Sequence, residues 1–180
     1  MSTAQEKFVA AIATKLRADT GADSLVALTK HDASNPNQFR ISRDKKVGKG
    51  ETPFLGVLIF QSVPLMDDGP SHVQKARVYF RCYATEELTT IQIADRMEHL
   101  LHGRDEQQSP GLTNVGYYDV SDSSISNRQT RWKGRSEPDF DDDTDVYMVL
   151  IEAEMIWVDE DEVADAKVDQ LLSDDGASAT

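Results

Sequence analysis

Between residues 76 and 103 the chain reads "ARVYFRCYATEELTTIQIADRMEHLLHG", and its hydrophobic period changes in the middle. Before Thr85 the apolar residues recur at every second position, as on a strand; after it they recur at every third or fourth, as on a helix. On the strand, Ala76, Val78, Phe80, Cys82 and Ala84 are predicted to share one face, with Lys75, Arg77, Tyr79, Arg81 and Tyr83 on the other. Thr85 is placed to cap the helix, and Glu86 and Glu87 stand in its first turn, where the helix dipole favours negative charge. Leu88, Ile91, Ala94 with Asp95 beside it, Met97, Leu100 and Leu101 make the expected buried stripe, and Gly103 is a natural stop. No Gly-rich loop, nucleophile or metal ligand stands at the join. The unit therefore reads as a helix locked across a strand, with no reaction attached to it.

The flanking chain adds strands and one more long helix. Ser2 and Thr3 with Gln5 and Glu6 form a helix start, and Phe8, Val9, Ile12, Ala13 and Leu16 lie at helical spacing, which predicts an amphipathic helix ending near Gly21. A weaker helical turn, "ADSLVALTKH", follows; "DASNPNQ" breaks it, and "FRIS" reads as a short strand. After the polar loop "RDKKVGKGETP", the β-rich run "FLGVLIFQSV" is predicted to be a central strand, and the turn "PLMDDGPSH" joins it to the next strand as a hairpin. Further strands are expected at "LTNVGYYDVSDSSIS" and "VYMVLIEAEMIWV", separated by a long polar segment. In the second, Tyr147, Val149, Ile151, Ala153, Met155 and Trp157 alternate with Met148, Leu150, Glu152, Glu154 and Ile156. This order predicts an α+β fold, a mixed and mainly antiparallel sheet with two principal helices packed on one side. The domain is expected to cover residues 1–158, with 159–180 as an acidic C-terminal tail, partly helical or mobile.

Charge and cysteine usage narrow the classes of function. With 19 Lys and Arg against 32 Asp and Glu the net charge is −13, so duplex nucleic acid and anionic membranes are poor main partners for the overall surface. The single cysteine, Cys82, permits no intrachain disulfide and reads as a buried structural thiol. The amino terminus has charges interleaved through it, and no run approaches the roughly 20 apolar residues of a membrane span, so the expectation is a soluble, intracellular protein.

Motifs that suggest chemistry fail on their details. "VGKGET" lacks the Walker pattern: Gly50 follows Lys49 where Ser or Thr belongs, Arg43 replaces the first Gly, and Pro53 opposes the helix. His99 and His102 share a helix face but lack the intervening Glu of a metalloprotease spacing and a nearby Cys to complete a zinc site, and "PDFDDDTD" lacks the Gly and distal Glu of a calcium loop. Ser121, Ser123, Ser124 and Ser126 have no nucleophile elbow. Arg40, Arg43, Lys45, Lys46 and Lys49 form the clear basic patch, a candidate contact loop for an acidic surface or for DNA. No catalytic residue, cofactor site or metal site is expected, and the protein is not expected to be an enzyme. A small metal-dependent enzyme or regulator built on His99, His102 or the Asp139 to Asp145 cluster is the reading from another class.

The ordered pattern over residues 3 to 158, with "TPFLGVLIF", the strand opening directly into a helix and above all "IADRMEHLLHG", resembles the tail terminator, or tail completion, proteins of tailed bacteriophages and archaeal viruses. In that family the helix commonly has the form I-A-D-x-V-x-x-L-L-x-G. The resemblance implies a structural virion protein that caps the tail tube as a hexameric ring, ends tube polymerisation and provides the head-joining surface. Its implied partners are further copies of itself, the tail tube protein and neck or head-completion proteins, with non-specific proximity to DNA in the channel and no membrane. Its implied location is the virion tail or neck, and the host cytoplasm during assembly. A head-to-tail adaptor or neck connector is the alternative. The strand face carrying Lys75, Arg77, Tyr79, Arg81 and Tyr83 is the candidate intersubunit interface, since Arg and Tyr are favoured there.

Overall fold

The structure is a computed structural model that describes residues 3–32, 34–35, 40–65, 73–101 and 125–161. Helix α1 (Ala4–Arg17) opens with a capping box: Thr3 Oγ1 accepts from the Glu6 backbone N–H, and the Glu6 carboxylate accepts from that of Thr3. A short helix α2 (Leu25–Thr29) follows, then β1 (Ile41–Arg43), β2 (Phe54–Pro64), β3 (Val73–Ala84), α3 (Glu87–Leu101), β4 (Ile125–Arg135), β5 (Asp139–Asp141) and β6 (Val146–Asp159). The strands form one six-stranded sheet in the order β1-β2-β3-β6-β4, with β5 pairing β6. β1 is parallel to β2 and the other pairings are antiparallel, so the fold is α+β with a mixed, mainly antiparallel sheet.

One face of this sheet holds the core. Val78, Phe80 and Cys82 of β3, Leu55 and Val57 of β2, and Val149, Ile151, Ala153, Met155 and Trp157 of β6 all point into it. α1 covers them with Phe8, Ile12 and Leu16, and Phe8 stacks on Trp157 at 4.7 Å between ring centroids. α3 covers the rest, and ion pairs hold it in place. Arg96 grips Asp19 at the end of α1 through two nitrogens, and the same carboxylate accepts from the backbone of Leu25 at the start of α2. Arg135 of β4 pairs with Asp95 and, at 3.3 Å, with Glu98. Cys82 is buried, and desolvation pushes its thiol pKa up, as a structural thiol requires.

Four expectations need correction. α3 begins at Glu87, so Glu86 flanks it, not Thr85, and the Glu86 carbonyl accepts from the backbone of Thr90. Its buried stripe is Thr90, Ile93, Ala94, Met97, Leu100 and Leu101, while Leu88 is 65% exposed and Ile91 only half-buried. Thr90 can replace an apolar residue there because its hydroxyl donates back to the Glu86 carbonyl. β2 is central only over residues 55–57, where β1 and β3 flank it; beyond Val57 no described strand flanks its outer side. β4 falls in the segment read as polar, and Arg128, Arg131, Lys133 and Arg135 on it are a second cluster of cations. Most of "LTNVGYYDVSDSSIS", Gly103, His102, Ser121, Ser123, Ser124 and the tail after Asp161 lie outside the described residues; β6 itself runs through Asp159.

Candidate functional site

The helices close one face of the sheet, so the opposite, outer face is where its side chains can meet something else. Strand alternation places Lys75, Arg77, Tyr79, Arg81 and Tyr83 there together, as the sequence predicts. They do not form one uniform surface. Arg81 and Tyr83 are covered by the chain's own loop, while Lys75, Arg77 and Tyr79 are not.

The covering loop is the basic segment after β1, and an acidic residue docks it. The backbone N–H of Asp44 donates to Val57 O at 2.9 Å, continuing the β1 pairing by one residue. Its side chain, 6% exposed, turns onto the sheet, accepting from Arg81 Nη1 at 2.7 Å and from Tyr83 Oη at 3.3 Å. This approach depends on Gly56 of β2, since a Cβ there would clash with Asp44 Oδ1 and stand 3.0 Å from Asp44 Cα. Val47 then drops into a small second core with Phe54, Tyr83 and Val146, against which Met148 packs. Burial pushes the Tyr83 pKa up to about 12, and the Asp44 charge acts the same way. For Arg81, burial works against the charged form but Asp44 and Tyr83 outweigh it, so its pKa is raised.

The loop's own cations are largely committed within the molecule. Lys45 pairs with Glu51 at 2.5 Å and lies 5.5 Å from the Phe54 ring centroid. Lys49 reaches Asp145 at 2.5 Å, and Arg43 lies 3.6 Å from Glu6 of α1. Arg40 is half-buried, and its backbone N–H donates to His31 Nδ1 at 3.2 Å. Lys46 is exposed with no ion pair among the described residues, and its charge helps to lower the pKa of Asp141 after the Thr144 and Asp143 hydrogen bonds. Loop and acidic hairpin face each other across a hollow of about 410 Å³ lined by Asp44, Lys46, Arg81, Asp139 and Asp141. The "DFDDDTD" cluster is thus β5 and its turn: Asp141 accepts from Thr144 Oγ1 at 2.7 Å and from the Asp143 backbone at 3.0 Å.

Toward the β2–β3 connection the outer face is open. Glu154 lies between Lys75 at 3.0 Å and Lys133 at 3.7 Å, and Arg77 reaches the diagonal Glu152 at 3.8 Å. Burial alone would raise the pKa of Glu154, but the Lys75 hydrogen bond and the charges of Lys133, Lys75 and Arg131 outweigh it and hold it below the usual range. Tyr79 stacks on Phe60 at 5.2 Å. Phe60 is 60% exposed, and Val63 and Leu65 are each 40% exposed. These three make an apolar rim at the end of β2, and alternation alone did not single them out because a bulge between Ile59 and Gln61 shifts the register there.

No group of three or more His, Cys, Asp or Glu is arranged to hold a metal ion among the described residues, and no described helix is long and apolar enough to cross a membrane. The "IADRMEHLLHG" residues act inside the fold: Ile93, Ala94, Met97, Leu100 and Leu101 pack the core, and Asp95, Arg96 and Glu98 make the ion pairs of α3. No model of a protein family matches the chain, and no curated protein matches it.

Proposed function

We propose that this chain is a structural virion protein, a tail terminator whose copies close as a ring on the end of the tail tube, end tube polymerisation and offer the surface to which the head joins. The observation that carries the reading is the divided sheet. One face is sealed by two helices, and the open half of the other holds Phe60, Tyr79, Val63 and Leu65 beside Lys75 and Arg77. Aromatic side chains and Arg are enriched at protein interfaces, and an exposed apolar rim bordered by charges is the common form of such a surface. A ring needs heterologous contacts, one patch meeting a different patch on the next copy, and a rigid sheet with distinct edges supplies them. Ring size, tube and neck partners rest on the family resemblance. In this reading Lys46, exposed beside the paired Lys45 and Lys49, is the cation of the basic loop that an acidic neighbour or DNA in the channel would meet.

Light scattering on the purified chain, alone and after mixing with tail-tube subunits, tests this reading. A hexamer, or a monomer that becomes a ring only on tube ends, is the expected result. A monomer indifferent to tubes but bound to the portal side makes the protein a head-to-tail adaptor. A monomer indifferent to both ends the virion reading.

A further inference from the structure

β1 stops at Arg43, opposite Val57, and the chain turns away at Asp44. β2 continues to Pro64, leaving a groove of about 440 Å³ between its outer side and α1. Val9 and Ala13 of α1 with Val57 and Ile59 of β2 supply its apolar lining, and Arg17 and Arg43 stand in its wall with Glu6. The series of outward backbone groups that pairs Leu55 with Arg40 and Val57 with Asp44 passes next to Ile59 on this side. A groove of this size, part apolar and lined by two arginines, is a site for an acidic segment that also carries aliphatic side chains.

The chain contains such a segment close by. Asp159 at the end of β6 turns toward α1, its carboxylate 3.6 Å from Lys7, and Asp161 lies 2.8 Å from the same Lys7 Nζ. Asp161, the last described residue, therefore lies on the helix side, beside the helix that walls the groove. Residues 162–180 carry five carboxylates against the single Lys167, with Val168, Leu171 and Leu172 among them. Val168 is seven residues past Asp161, a reach of roughly 10 Å if helical and 23 Å if extended. A helix is about 10 Å across, so an extended connection is long enough to pass round α1.

We propose that the groove between α1 and the free half of β2 receives the chain's own C-terminal segment. Val168, Leu171 and Leu172 settle on its apolar lining, and the flanking aspartates face Arg17 and Arg43. The segment then fills the space that β1 leaves and covers the outer side of β2.

Cysteine pairs in the full-length chain test this directly, because the one native thiol, Cys82, is buried. Ala10 and Thr14 are exposed groove residues, so Ala10→Cys or Thr14→Cys is combined with Leu171→Cys. Under mild oxidation at least one pair is expected to close within a single chain in most molecules, at every protein concentration, as read by intact mass and peptide mapping. A control pair, Lys30→Cys with Leu171→Cys, is expected to stay reduced. Disulfides between two chains overturn the proposal by assigning the groove to a second copy. Free thiols in both groove pairs, or equal closure in the control, overturn it by leaving the segment unlocalised.

Discussion

The two faces of this sheet share their strands yet are built on different terms. On the helix face of β3 and β6 every second residue is apolar, α1 and α3 pack against it, and the contacts are numerous. On the outer face one half is held by a loop through Asp44, seated over Gly56, and the other half is left open. Stability is therefore concentrated on one side and adjustable contact on the other, which is what a subunit needs if it must stay rigid while meeting neighbours. Adjacent residues of β3 make the comparison sharpest. Phe80→Ala is expected to cost about 3–5 kcal/mol in urea unfolding, the range for emptying a buried phenylalanine site. Tyr79→Ala, on the other face where the residue is only half-buried and stacks on Phe60, should cost about 1 kcal/mol. Equal costs for the two would mean that the outer face is itself a core.

The loop-covered half is intermediate, and its anchor is a single carboxylate. Asp44→Ala leaves Arg81 and Tyr83 without their acceptor and should cost about 1–3 kcal/mol. Gly56→Ala should loosen the same loop by evicting Asp44. The double variant should then cost clearly less than the two singles together, since both remove one contact. Additive losses in the unfolding midpoints would separate Gly56 from the docking of Asp44.

Much of this was legible in the sequence, for reasons that particular residues make plain. Alternation on β3 and β6 placed both faces correctly, because period two leaves no other assignment once one face is apolar. β4 was hidden because its inward residues include Asn127 and Thr130, which satisfy each other by a hydrogen bond, and because two bulges break its period. Asp44 was hidden because its partners, Arg81 and Tyr83, are nearly forty residues away, and it stands between Arg43 and Lys45 in a basic run. The one visible trace was Gly56, a glycine inside an otherwise apolar strand run, which signals a close approach without naming what approaches. The five residues from Lys75 to Tyr83 do share one face, but nothing local said that the loop would cover two of them.

The same docking gives the loop a pH dependence of known sign. The Tyr83 pKa is raised from 10.0 to about 12 in the folded chain. The stabilisation from its neutral form is therefore complete below the unfolded value and is lost as pH rises toward the folded one. A phenolate absorbance titration should show one tyrosine ionising well after the exposed ones, and Tyr83→Phe should remove that late step. A late step that survives the substitution would belong to another tyrosine and would detach Tyr83 from the Asp44 site.

The smallest effect on stability should come from the open half, and there the two faces differ most in kind. Lys75 and Arg77 hold Glu154 and Glu152 in partly exposed pairs, each worth about 0.2–1 kcal/mol. Arg77→Glu loses one such pair and faces Glu154 directly across the strands, and in this partly exposed setting it should cost no more than about 1 kcal/mol in urea unfolding. If this face meets a neighbouring copy, the same change places a like charge beside Glu152 and Glu154 in the contact surface, where repulsion is no longer diluted by water. Ring formation on tube ends, followed by light scattering, should then fall by tenfold or more while the monomer stays folded. Normal assembly by Arg77→Glu would remove this half of the sheet from the interface and leave the basic loop and the sheet edges as the surfaces through which copies meet.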